Sequence, residues 1–276
     1  QHRIPEIGHD ELGMLGQAFN QMLEDLRDLE LARVLQERIY PSKPLELANG
    51  WEIYGHCRSA SEVGGDFYDY FLLPDGCCFL VVGDVSGHGT PSALIVAMAK
   101  GLFSHPRNKT EPGQILHDVQ VVFGRVLPRK RMMMTCFVGI FDPRSGLLRY
   151  GNAGHNYPYL IHADGRLEPL RDKTMPLGVG KKSRNQTTDL QLADSDTLFL
   201  YTDGLVEALR PDQEMIGYDA VQQQLSSLDI LDAHSAVHQL RTWHDGQTAA
   251  GPQADDITLV FLKRHPMTRA EFTTRQ

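Results

Sequence analysis

An α+β layered fold is what this 276-residue sequence predicts. Beyond residue 50 the chain runs through short segments rich in β-branched and aromatic residues, separated by Gly, Pro, Asn and Asp. Only three helical stretches interrupt them, and many strands with few intervening helices pair antiparallel rather than wind a parallel sheet. Residues 10–40 instead carry helical periodicity, which adds an N-terminal helical extension.

Within that extension Leu12, Leu15, Phe19, Met22, Leu26 and Leu29 alternate in steps of three and four, the seam of a coiled coil. Arg33 and Gln36 then break it, while Ala32, Leu35 and Ile39 form a shifted stripe, a three-residue slip that locally overwinds such a helix pair. The seam is shorter than three heptads, so a homodimer and packing against the chain's own domain both stay open. "YPSKP" ends the helix, because neither proline continues it. The strands expected next are "WEIYGHCR", "DFYDYFLL", "CCFLVVGDV", "MMMTCFVGIFD", "LLRYGNA", "YPYLIH", "DTLFLYTD" and "DDITLVFL". Helices are expected at 90–104, with Thr90 as N-cap and Pro91 in first position, at 112–127 and at roughly 230–245.

Composition narrows the functional classes. A 41% hydrophobic share fits a folded globular chain, and a net charge of −8 excludes the basic footprint of a nucleic-acid surface. Cys57, Cys77, Cys78 and Cys136 have no zinc spacing and are too few for a disulfide framework, which suits a reducing cytoplasm. No apolar run approaches the roughly 20 residues of a membrane span, and no signal peptide is present. "QHRIPEIGHDE", without an initiator methionine, reads as the start of an excised fragment.

Four places in the chain set aspartate at a strand end. "SEVGGDFYD" places Asp66 after two glycines at a strand entry, where a lone Asp would ordinarily serve a turn. "VVGDVSGHG" places Asp84 at a strand exit, "LFLYTDGL" does the same for Asp203, and "ADDITLV" sets Asp255 and Asp256 just before a strand. Together they suggest a site for hard divalent cations, which take carboxylate, carbonyl and water oxygens. Without cations, acids gathered so closely would repel one another.

"SEVGGDFYD", "VVGDVSGHGTPSAL", "GNAGHNYPYL", "PLGV", "YTDGLVEA" and "ADDITLV" occur in the order found in the SpoIIE/RsbU group of bacterial PPM-type serine/threonine phosphatases, which residues 30–264 resemble. The resemblance implies an αββα sandwich with two Mn²⁺ or Mg²⁺ ions at one edge, and hydrolysis of phosphoserine or phosphothreonine by metal-activated water. It implies that Asp66 binds one ion, that Asp84 bridges both and that the Val85 carbonyl completes the first site. Asp203 and Asp255 would hold the second ion, with Asp256 in support. His88, His155 and Arg58 are candidates for substrate contact, although structural roles suit all three. The implied substrate is a phosphorylated STAS-type anti-sigma-factor antagonist.

"DELGMLGQAFNQMLEDL" resembles the last segment of a HAMP domain, which implies the cytoplasmic output of an inner-membrane sensor, tethered only through an upstream segment. The expected organisation is a HAMP-like remnant at 1–27, a linker helix at 28–44, a phosphatase domain at 45–266 and a tail at 267–276. Two other classes compete. "GGDF" invites comparison with the GGDEF signature of diguanylate cyclases, but Phe67 takes the glutamate's place. A silent phosphoprotein-binding module would not need the full set of aspartates.

Overall fold

The computed structural model describes residues 11–87, 89–104, 111–126, 132–172, 174–179, 186–249, 251 and 253–265. It divides into two compact units, Gln1–Ile39 and Tyr40–Gln276. The described part of the first unit is helix α1 (Glu11–Arg38), about 42 Å long at 1.5 Å per residue. Along it Met14, Leu15, Phe19, Met22, Leu26 and Leu35 stand exposed. Among the described residues no helix is long and apolar enough to cross a membrane.

The second unit opens with strands β1 (Leu45–Glu46), β2 (Trp51–Arg58), β3 (Asp66–Leu72) and β4 (Cys78–Val85). Helices α2 (Thr90–Ser104) and α3 (Pro112–Val126) follow. Next come β5 (Met134–Asp142), β6 (Leu147–Ala153), β7 (Tyr159–Ile161), β8 (Leu167–Pro169), β9 (Thr188–Gln191) and β10 (Thr197–Tyr201). A one-turn α4 (Gly204–Glu207), α5 (Gly217–Ser227), α6 (Ala233–Gln247) and β11 (Ile257–Arg264) complete the order.

All described pairings are antiparallel. One sheet runs β1-β2-β11-β10-β7-β8 and the other β3-β4-β5-β6-β9. Between them lies a core in which Leu80 and Val82 of one sheet join Leu198, Leu200, Val260 and Leu262 of the other. Trp51 meets Phe141 edge-on across the two layers, with ring centroids 4.7 Å apart. The outer faces are buried too. Phe79 and Val81 pack with Val96, Ala99, Leu116 and Val119 of α2 and α3. Phe199 and Phe261 pack with Val221, Val237 and Leu240 of α5 and α6. Burial on both faces explains why these strands read as unbroken apolar runs rather than alternating ones. Full burial of such a side chain contributes about 1.5–3 kcal/mol, so the two sheets form a firm platform for what projects from their ends.

Two helix starts differ from expectation. The Gly89 carbonyl accepts the Ala93 amide, so Gly89 caps α2 and Thr90 is already helical. Asp232 caps α6 by accepting the Ser235 amide, and the helix begins at Ala233 rather than near 230.

Candidate metal centre

The end of the sandwich where β3 begins and β4 and β10 finish gathers the acids. Asp66 and Asp84 are direct partners across the β3–β4 ladder. Cross-strand neighbours have Cβ atoms about 4.5–5.5 Å apart, and like charges there repel. Asp66 is only 2% exposed. Its Oδ2 accepts hydroxyl hydrogen bonds from Thr202 at 2.6 Å, just past the end of β10, and from Thr258 of β11 at 2.7 Å. The Tyr40 hydroxyl donates to its main-chain carbonyl at 2.8 Å. Tyr40 is itself stacked on Tyr68 and lies under the Lys100 ammonium, which pairs with Asp69.

Asp256 has a different role in the geometry. Its Oδ1 accepts the Ala60 amide at 2.7 Å, and its Oδ2 accepts those of Gly65 at 2.6 Å and Asp66 at 3.2 Å. One carboxylate thereby fixes the loop that delivers Asp66. A side chain at Gly64 would collide with that carboxylate, which accounts for the first glycine of the pair. The neighbouring Asp255 is exposed, and its Oδ1 accepts the Asp256 amide at 2.8 Å.

The acids share one electrostatic field. Burial, then Asp84 and Asp256, push the Asp66 carboxyl well above the usual carboxylate range. Asp84 is pushed up to about 7, by burial first and then by Asp203, Asp255, Asp256 and Glu207. Asp203 is raised by burial and by Glu207. Glu207 escaped the sequence reading. Its signal was its place four residues after Asp203 in "YTDGLVE", a spacing that makes helical side chains neighbours.

A cation would find oxygen here. A Cβ placed on Gly65 would clash with the Val85 carbonyl oxygen and lie 3.2 Å from that of Gly87 and 3.4 Å from Asp84 Oδ1. The second glycine thus lets two main-chain carbonyls and a carboxylate crowd against the entry of β3, and oxygens of these kinds are the donors that Mg²⁺ and Mn²⁺ take. Among the described residues no three acidic, histidine or cysteine side chains stand ready around a single position. The carboxylates share a field rather than a closed coordination shell.

The remaining candidates lie apart. Arg58 is tied to Asp245 at 2.7 Å and to the Gln253 side-chain oxygen, while Gln253 donates in turn to the carbonyls of Arg58 and Asp255. Its guanidinium braces the loop before β11. His155 is buried, with Nδ1 2.9 Å from the Thr135 hydroxyl, and Thr135 is the β5 partner of Asp84. Burial lowers its pKa to about 4, so the ring is neutral at pH 7. His88 lies outside the described residues.

Residues 74–265 match the family described as Stage II sporulation protein E (SpoIIE), and residues 1–28 match the HAMP domain. Protein IcfG of Synechocystis is 26% identical over 93% of this chain, and the chain spans about half of that relative's length, 46%. Phosphoserine phosphatase RsbU of Bacillus subtilis is 25% identical, covering 86% of this chain and 70% of its own. Among solved structures, the SiaA-PP2C domain of Pseudomonas aeruginosa superposes with a TM-score of 0.76 at 20% identity, covering 88% of this chain and 98% of that one. That likeness shows the PP2C fold.

Proposed function

This chain belongs to the SpoIIE family, and on that premise we propose that it is a Mn²⁺- or Mg²⁺-dependent phosphatase acting on phosphoserine or phosphothreonine of a partner protein. The observation that carries the reading is the pairing of the buried Asp66 with the half-buried Asp84, beside the oxygens of Val85 and Gly87. Asp66, Asp84, the Val85 carbonyl, Asp203 and Asp255 would hold the ions. When bound, such ions lower the pKa of water and neutralise charge on a phosphoryl group.

The chain's own residues prepare that chemistry. Thr202 and Thr258 fix the Asp66 carboxylate at one oxygen, leaving the other for a ligand. Asp256 holds the Gly65–Asp66 backbone, which suits a supporting role and leaves Asp255 as the direct ligand of the pair. Gly65 keeps the carbonyls of Val85 and Gly87 within reach. Burial strengthens every charge interaction in the site.

RsbU and RsbP of Bacillus subtilis, both named phosphoserine phosphatases, support a phosphoserine substrate here; the partner in this proposal is a phosphorylated STAS-type anti-sigma-factor antagonist. The HAMP match supports a role as cytoplasmic output of a membrane sensor, and the exposed stripe of α1 supports homodimerisation through that helix. The test is incubation with phosphorylated STAS proteins, with and without Mn²⁺. Release of phosphate only with the metal is the expected result. Binding of the phosphoprotein without release would make the chain a silent recognition module.

A further inference from the structure

Beside the acidic centre lies an open cleft of about 920 Å³. Tyr157, Tyr159, Tyr201 and Tyr218 line it, with Asn156 and Asp172 among its polar groups. Two routes join it to the acids. Tyr201 ends β10, two residues ahead of Asp203. His155, also in the wall, bonds Thr135 opposite Asp84.

The wall has the chemistry of a peptide-binding surface. Tyrosines offer broad, rigid, amphipathic contact at low entropic cost, and a side-chain amide adapts to main-chain donors and acceptors. Tyr157 and Tyr218 stand exposed at 39% and 50%. Asn156 and Asp172 add polar character to the wall, the Asp172 carboxyl being held by the Tyr150 hydroxyl. The volume lies at the upper end of the roughly 300–1,000 Å³ of ligand pockets, far more than a lone phosphoserine side chain needs.

We propose that this cleft seats the extended segment of the partner protein that flanks its phosphorylated residue, so that the phosphate reaches Asp84 and Asp203. The inference rests on the phosphatase reading and adds to it a site of substrate recognition, distinct from the acids.

The experiment measures binding, so it does not require turnover. Fluorescein-labelled peptides with a central phosphonate analogue of phosphoserine and randomised flanks are titrated against the full chain in Mn²⁺, with the free phosphonate amino acid as competitor. Peptides are expected to bind at least tenfold more tightly than the free amino acid. Tyr157→Ala with Tyr218→Ala should erase that advantage, and each single variant should reduce it while keeping the wild-type melting temperature. Peptides that bind no better than the free amino acid, or variants that bind like wild type, overturn the proposal. Failure of the phosphatase reading shows separately, as absence of Mn²⁺-dependent hydrolysis of p-nitrophenyl phosphate.

Discussion

Asp66 and Asp84 face each other across the β3–β4 ladder, a pairing of like charges that costs the sheet stability unless something positive sits between them. Asp84→Asn removes one charge of the pair. We expect the metal-free protein to gain on the order of 1–3 kcal/mol, the equivalent of one or two pKa units relieved, and to lose its Mn²⁺-dependent turnover. Urea unfolding in chelator and phosphate release in Mn²⁺ check the two halves. A variant with near-normal Mn²⁺-dependent activity would remove Asp84 from the centre.

The hydroxyls of Thr202, just after β10, and Thr258 of β11 orient Asp66. Groups that orient a metal ligand typically account for about 10–100-fold in metal affinity or activity. Thr258→Val should weaken Mn²⁺ binding by a factor in that range, and Thr258→Ser should restore it. Calorimetric titration with Mn²⁺ distinguishes this from a packing defect, which serine would not repair.

Asp255 and Asp256 should separate into two phenotypes. Asp256→Ala leaves the amides of Ala60, Gly65 and Asp66 without their acceptor, and unsatisfied buried donors cost about 1–3 kcal/mol each. Its unfolding midpoint in urea should fall steeply even in chelator. Asp255→Ala, at an exposed position, should stay within about 0.5 kcal/mol of wild type yet lose Mn²⁺-dependent hydrolysis of p-nitrophenyl phosphate. Equal stability losses in the two variants would contradict the assignment.

Acid should loosen the fold through its buried imidazoles. Burial holds His155 near a pKa of about 4 against 6.5 when unfolded, and burial with Arg241 and Arg58 does the same for His56. Above pH 6.5 both rings are neutral in either state, and their stabilising effect is whole. As pH falls toward 4 the unfolded chain takes up protons first, and His155 alone forfeits about 3 kcal/mol. Melting curves between pH 7.5 and 4 should show a shallower acid slope for His155→Gln than for wild type. Parallel slopes would mean that His155 titrates normally.

Most of the fold was legible because its strands and helices carry strong local signals. "WEIYGHCR" and "LLRYGNA" match β2 and β6 residue for residue, and 90–104 matches α2. α5 went unread because "GYDAVQQQLSS" buries only Val221 and Leu225, a stripe too thin to register among three glutamines. Strands β1, β8 and β9 have two to four residues, too few for any period. The acids were visible as strand-end aspartates, but the threonines that orient Asp66 were not. A threonine in a strand ordinarily signals β propensity, and only the meeting of two sheets turns its hydroxyl toward a carboxylate 136 or 192 residues away.

Among the described residues β11 is the last strand, yet it lies between β2 and β10 and carries Asp255 and Asp256 at its entry. While the ribosome still holds that strand in its exit tunnel, β2 and β10 have no shared neighbour and the amides of Ala60, Gly65 and Asp66 lack the Asp256 carboxylate that accepts them. The strand made late thus completes the cluster of acids made early: Asp256 takes hold of the Ala60, Gly65 and Asp66 amides only once β11 has docked between β2 and β10.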